Sequence, residues 1–242
     1  MTLVPLDYLN GITALIHFSI AVAFVVIIIS RYFKYKNKML IYIGISILGL
    51  VWLYSSTVIS FLWQAITGYP FLQEIYLILG ICIAPITMPC WIYVVLSLAH
   101  AKDVKFYVLL VFILILTLYI LFILLTFTRP EIVGEKLGNI DIQFKGYGVF
   151  YFLVNMTIVY AGFIIFMRDT FKSVSPELKL KGLFISLGLI TFTVAATLDG
   201  WFDLPEIPLI ITRISEIISS ILAYIGWIMP ESVKKVLLRK ET

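Results

Sequence analysis

Seven stretches of the chain are apolar for about 20 residues or more, the length that crosses the hydrocarbon of a bilayer. They fall at about 9–31, 39–66, 70–99, 104–127, 149–169, 178–201 and 207–229. Lipid offers no partner to a backbone amide, so each stretch is expected to be a helix. No ten-residue alternation suggests a barrel. One connection is long enough to carry structure, 128–148. Within it, Glu131 to Leu137 and Ile140 to Lys145 flank Gly138-Asn139, and the second arm alternates apolar with polar residues. That pattern predicts a small β-hairpin lid. The fold class expected is therefore an all-α bundle of seven transmembrane helices, one domain over 1–242, with a hairpin between the fourth and fifth.

Composition agrees. The chain is 62% apolar and 13% charged, far from the balance of a soluble domain. The placement of charge says more than the net of +4. Fourteen basic residues, from Arg31, Lys34, Lys36 and Lys38 through Lys102, Lys105, Arg168, Lys172, Lys179 and Lys181 to Lys234, Lys235, Arg239 and Lys240, fall on one side. The other side has Arg129, Lys136 and Lys145 and holds Asp7, Glu131, Glu135, Asp141, Asp203 and Glu206. The positive-inside rule makes the basic side cytoplasmic, so the N-terminus is expected outside and the C-terminus inside a plasma membrane. Trp63, Tyr69, Tyr147 and Trp201 at the outer ends, and Tyr32, Tyr35 and Trp227 at the inner ends, are expected interfacial anchors. No cleavable signal precedes the first stretch. Residues 230–242 read as a short basic amphipathic segment on the cytoplasmic leaflet, with no kinase or nucleotide-binding domain after it.

The candidate chemistry sits in the last span. Arg213 and Glu216 interrupt an apolar run. At 1.5 Å per residue they lie about 9 and about 13 Å in from Ile207. Arg213, Glu216, Ser220, Tyr224 and Trp227 share one stripe. Ile214, Ile217, Ile218, Ile221, Leu222 and Ile225 form the opposite side, suited to lipid or core. The polar stripe should face the bundle. Asp199 is a further partner for Arg213. His17 and Glu74 lie in neighbouring outer halves, with Tyr54, Ser55, Ser56 and Gln64 from the second span. Two readings stand: an outward-facing pocket for a small polar ligand, or an ion pair that fixes helix rotation. In the third span Pro85 and Pro89 predict a kink that could serve as a hinge. Asn155 and Thr157 are expected to hydrogen-bond between helices.

Other chemistries have no footing. Cys82 and Cys90 are about 12 Å apart along one helix, too far for a disulfide. His17 and His100 fall on opposite sides, so no metal cluster forms, and no catalytic constellation or cofactor site is expected. Nothing suggests a nucleic-acid partner. The last span has no lysine, which excludes a retinal Schiff base.

Three segments carry a resemblance: Gly146-Tyr147-Gly148-Val149-Phe150-Tyr151-Phe152, Glu177-Leu178-Lys179-Leu180-Lys181-Gly182 and Tyr224-Ile225-Gly226-Trp227-Ile228-Met229-Pro230. With the topology, they make the chain resemble the seven-helix N-terminal membrane region of archaeal and bacterial histidine kinases and related stand-alone archaeal membrane proteins. The resemblance implies a sensor-like or scaffold-like bundle rather than an enzyme. The expected role is a receptor or sensor that signals through a separate cytoplasmic protein. The alternatives are a small-solute or proton-coupled transporter and a structural subunit of a membrane complex.

Overall fold

In the computed structural model, residues 3–202 and 204–238 are described. Asp203, Arg239 and Lys240 of the charge pattern lie outside these residues, as do the side chains of Trp201 and Leu238. Among the described residues, seven helical segments are long and apolar enough to cross a membrane, at bounds close to those read from the sequence. They fit a multi-pass membrane protein.

The first span is α1 (Pro5–Tyr35). Pro5 suits a first turn, whose amide would be unpaired anyway, and Asp7 accepts from the Val4 amide at 2.9 Å. The second span is two helices, α2 (Met39–Val51) and α3 (Ser55–Thr67), joined by a 3₁₀ turn at Trp52–Tyr54. The third is also divided, into α4 (Gln73–Ile81) and α5 (Ala84–Leu98). Pro85 does not kink a continuous helix, as the sequence suggested. It sits at the opening of α5, where its missing amide costs least, while Pro89 lies inside. The two interruptions adjoin: the Trp52 indole donates to the Leu79 carbonyl at 2.9 Å.

The fourth span, α6 (Val104–Thr128), is apolar all round and the least buried of the seven. A short turn, α7 (Pro130–Val133), follows. Then β1 (Gly134–Leu137) pairs antiparallel with β2 (Asp141–Phe144), with Gly134 opposite Phe144 and Leu137 opposite Asp141. The first arm thus begins as helix over Glu131–Val133 instead of strand. Gly138 takes φ +70 in the reversal, a conformation that suits glycine. Val133 and Ile142 pack with Tyr76, Leu77, Phe122 and Tyr151, so the hairpin rests on α4, α6 and the fifth span.

That fifth span is α8 (Gly146–Lys172), the sixth α9 (Pro176–Trp201), capped by Ser175, and the seventh α10 (Glu206–Ile228). Asn155 and Thr157 bond to the carbonyls of Tyr151 and Leu153 in their own helix, so they do not bridge helices as expected. Each amide or hydroxyl finds the carbonyl one turn back, the partner that needs no neighbour. On α10, Ile211, Ile214, Ile218 and Ile221 are exposed, as the stripe pattern requires. A last helix, α11 (Glu231–Leu238), is held to the start of α9 by Lys234 on Glu177 at 2.6 Å. That carboxylate raises the Lys234 ammonium above its usual range.

α9 and α10 approach closely. A Cβ built on Gly226 would lie 2.9 Å from the Ile185 nitrogen and 3.1 Å from the Lys181 oxygen, both backbone atoms that cannot swing away. On Gly200 it would meet nothing within 4 Å among the described residues. Gly226→Ala is therefore expected to destabilise the bundle by about 1–3 kcal/mol. Gly200→Ala should leave stability equal or slightly raised, and thermal unfolding in detergent checks the pair.

Candidate functional site

Arg213 is 1% exposed and Glu216 is fully buried. A lone guanidinium at this depth would be prohibitively costly, so its partners decide whether the fold stands. They come from four elements. Its Nη1 lies 2.9 Å from Asp199 Oδ2 of α9 and 3.0 Å from Glu216 Oε2, one turn along α10. Its Nη2 donates to Asn10 Oδ1 of α1 at 2.6 Å. Its guanidinium carbon sits 5.1 Å from the Tyr54 ring centre, a cation–π contact. The Tyr54 hydroxyl donates to the other oxygen of Glu216. Tyr54 belongs to the 3₁₀ turn, so the break in the second span positions this ring.

Asn10 carries the network further. Its amide Nδ2 donates to Asp141 Oδ2 on β2 at 3.0 Å. Asp141 Oδ1 accepts from the Tyr76 hydroxyl at 2.9 Å. Tyr76 has one proton and gives it to the carboxylate, so Thr57, 2.7 Å away, donates to Tyr76. Beside them Asn139 Nδ2 donates to Asp7 Oδ2 at 2.7 Å. The hairpin is thus tied to α1 and α4, and through Asn10 to the arginine of α10.

A cavity of about 240 Å³ lies under the hairpin, with Asp7, Asn10, Asn139, Asp141 and Asp199 on its wall. A smaller one, about 60 Å³, lies among Tyr54, Thr57, Tyr76, Asp141 and Asp199. Among the described residues, four carboxylates, Asp7, Asp141, Asp199 and Glu216, share this region with one arginine. The arrangement favours cations and hydrogen-bond donors over anions.

Of the residues expected at the site, Arg213, Glu216, Asp199 and Tyr54 come together. His17 packs edge-on against Tyr54, ring centres 4.9 Å apart, with both ring nitrogens unpartnered. Glu74 is not brought in: it is half-buried on α4 and has no hydrogen bond or ion pair among the described residues. It stands near the start of α4, which packs on α3, α6 and β2. Ser220 is one turn beyond Glu216 and lines a different, apolar cavity of about 80 Å³ with Ser46, Trp91 and Trp227. Its hydroxyl makes no hydrogen bond to Arg213, Glu216 or Asp199. Ser56 spends its hydroxyl on the Leu53 carbonyl.

Asn10, Asp141, Tyr76 and Thr57 were not foreseen. Asn10 had a signal: Asn10, Ala14, His17, Ala21 and Phe24 form one buried face of α1. Asp141 had none, because a hairpin residue meets the bundle only after folding. No family model matches the chain, and no curated protein matches it.

Arg213→Ala leaves the buried Glu216 and the part-buried Asp199 without their counterion and is expected to cost about 3–5 kcal/mol. Glu74→Ala should stay within about 0.5 kcal/mol of the parent. Thermal unfolding of the two variants in the same detergent gives the comparison.

Proposed function

We propose that this protein is a seven-helix receptor or sensor of the plasma membrane, with its N-terminus and hairpin outside and its C-terminus in the cytoplasm. The charge bias of the loops supports the orientation. The observation that carries the receptor reading is the hydrogen-bonded path from Asp141 through Asn10 to Arg213, beside a cavity. A small polar ligand, cationic by the charge balance of the cavity, would compete for Asp141 and Asp199. Asn10 and Arg213 would then re-pair, and α10 would turn against α9. The interruptions near Trp52–Tyr54 and Pro85 offer the pivot, and Pro89 loosens α5 below it. The inner ends of the helices would pass the change to a cytoplasmic partner. The resemblance to the membrane region of histidine kinases supports this role.

One observation favours transport as the second reading. The apolar cavity of about 80 Å³ and a pocket of about 340 Å³ at the end opposite the hairpin share Ile185 and Trp227 as walls. A rearrangement there could open the same route from the other side.

The test places nitroxide labels at positions 99 and 178 in a variant lacking Cys82 and Cys90, in nanodiscs. Asn10→Leu, which cuts the hairpin from Arg213, is expected to shift their separation by about 1–2 Å. An unchanged distance sinks the receptor reading. Cysteines at 219 and 220 that react with impermeant reagents from both faces in turn would establish transport instead. Orientation has its own check: Lys136→Cys should react in sealed cells, and Lys36→Cys only after permeabilisation.

A further inference from the structure

The second and third spans are interrupted side by side, and the space between the breaks is not packed shut. A cavity of about 30 Å³ remains there. Leu50 and Leu53 of the second span, Ile81 and Ile83 of the third, and Phe144 of the hairpin form its apolar wall. The fifth span supplies the polar part, Tyr151 and Asn155, which are 2% and 5% exposed. Among the described residues, neither the Tyr151 hydroxyl nor Asn155 Oδ1 has a partner within hydrogen-bonding distance, although the Asn155 amide nitrogen donates to the Tyr151 carbonyl at 2.8 Å. A third polar group is the Ile81 carbonyl, since Pro85, four residues on, has no amide hydrogen to give it.

Buried polar groups in native folds are almost always paired, and a pair of orphans on one small cavity calls for a common partner. The volume is above the roughly 10–15 Å³ that one water needs, and well below what an organic solute needs. We propose that this cavity is a binding site for an internal water molecule that joins the two helix breaks to the fifth span. The hydrogen bonds balance. Water accepts the Tyr151 hydroxyl proton, gives one hydrogen to Asn155 Oδ1 and has a second for the Ile81 carbonyl. The water stands in for the amide that proline lacks, and it does so beneath β2. It makes the breaks a solvated joint, able to exchange partners as packing alone cannot, whether the protein senses or transports.

The sign of one stability change tests this. If the cavity is dry, the Tyr151 hydroxyl is an uncompensated buried group, and Tyr151→Phe stabilises the protein. If water bridges, the same change removes a bond, and the thermal midpoint in nanodiscs falls by about 2–4 °C. X-ray radiolytic labelling of the parent protein supplies the second readout, since bound water is the source of the radical. Tyr151 is expected to be modified several-fold faster than Phe122, which is fully buried. A midpoint that is unchanged or raised, or Tyr151 labelling no faster than Phe122, overturns the site.

Discussion

The buried guanidinium of Arg213 is the constraint on which the hairpin end of this bundle depends. It is almost as deeply buried as the aliphatic core, and because a guanidinium does not give up its charge it is tolerated there only with partners around it. Those partners are drawn from α1, the break in the second span, α9 and α10 itself. Shifting any of these elements by a helical turn leaves a charge facing hydrocarbon. The ion cluster therefore sets the rotation of α10 and the register of its neighbours, whatever else it does.

Helical regularity yields where this cluster is built. A continuous helix through Trp52–Tyr54 would carry Tyr54 to another angle, and the 3₁₀ turn brings it onto Arg213 and Glu216. The adjoining break before Pro85 frees a carbonyl and leaves space against Tyr151 and Asn155. Irregular backbone at membrane depth is tolerated where it is enclosed by protein or lines a cavity, and both breaks meet that condition. By contrast α9 and α10 stay regular and press together at Gly188 and Gly226.

The hairpin bears on the same region. Its apolar residue Ile142, with Val133 just before it, belongs to the core beneath it, while Asp141 reaches Asn10 and Tyr76. One small element thus touches both the packing and the charge network. The hairpin and Arg213 are joined through the Asn10 side chain, which donates to Asp141 and accepts from the guanidinium.

The amino-acid pattern by itself determined the seven spans, the lipid face of α10 and the inward turn of Arg213 and Glu216. Hydrocarbon imposes length and polarity rules along one dimension, and a linear sequence displays them. Asp199 was legible for the same reason, as an acid at the matching depth. The tertiary structure alone decided that Pro85 opens a helix, that Glu74 stays outside the cluster, and that Asn10 and Asp141 complete it. Those outcomes depend on which turn of one helix meets which turn of another, and on a hairpin folding back over the bundle. Residues 10 and 141 become partners only when packing brings them within 3.0 Å, a relation that neither residue's local sequence encodes.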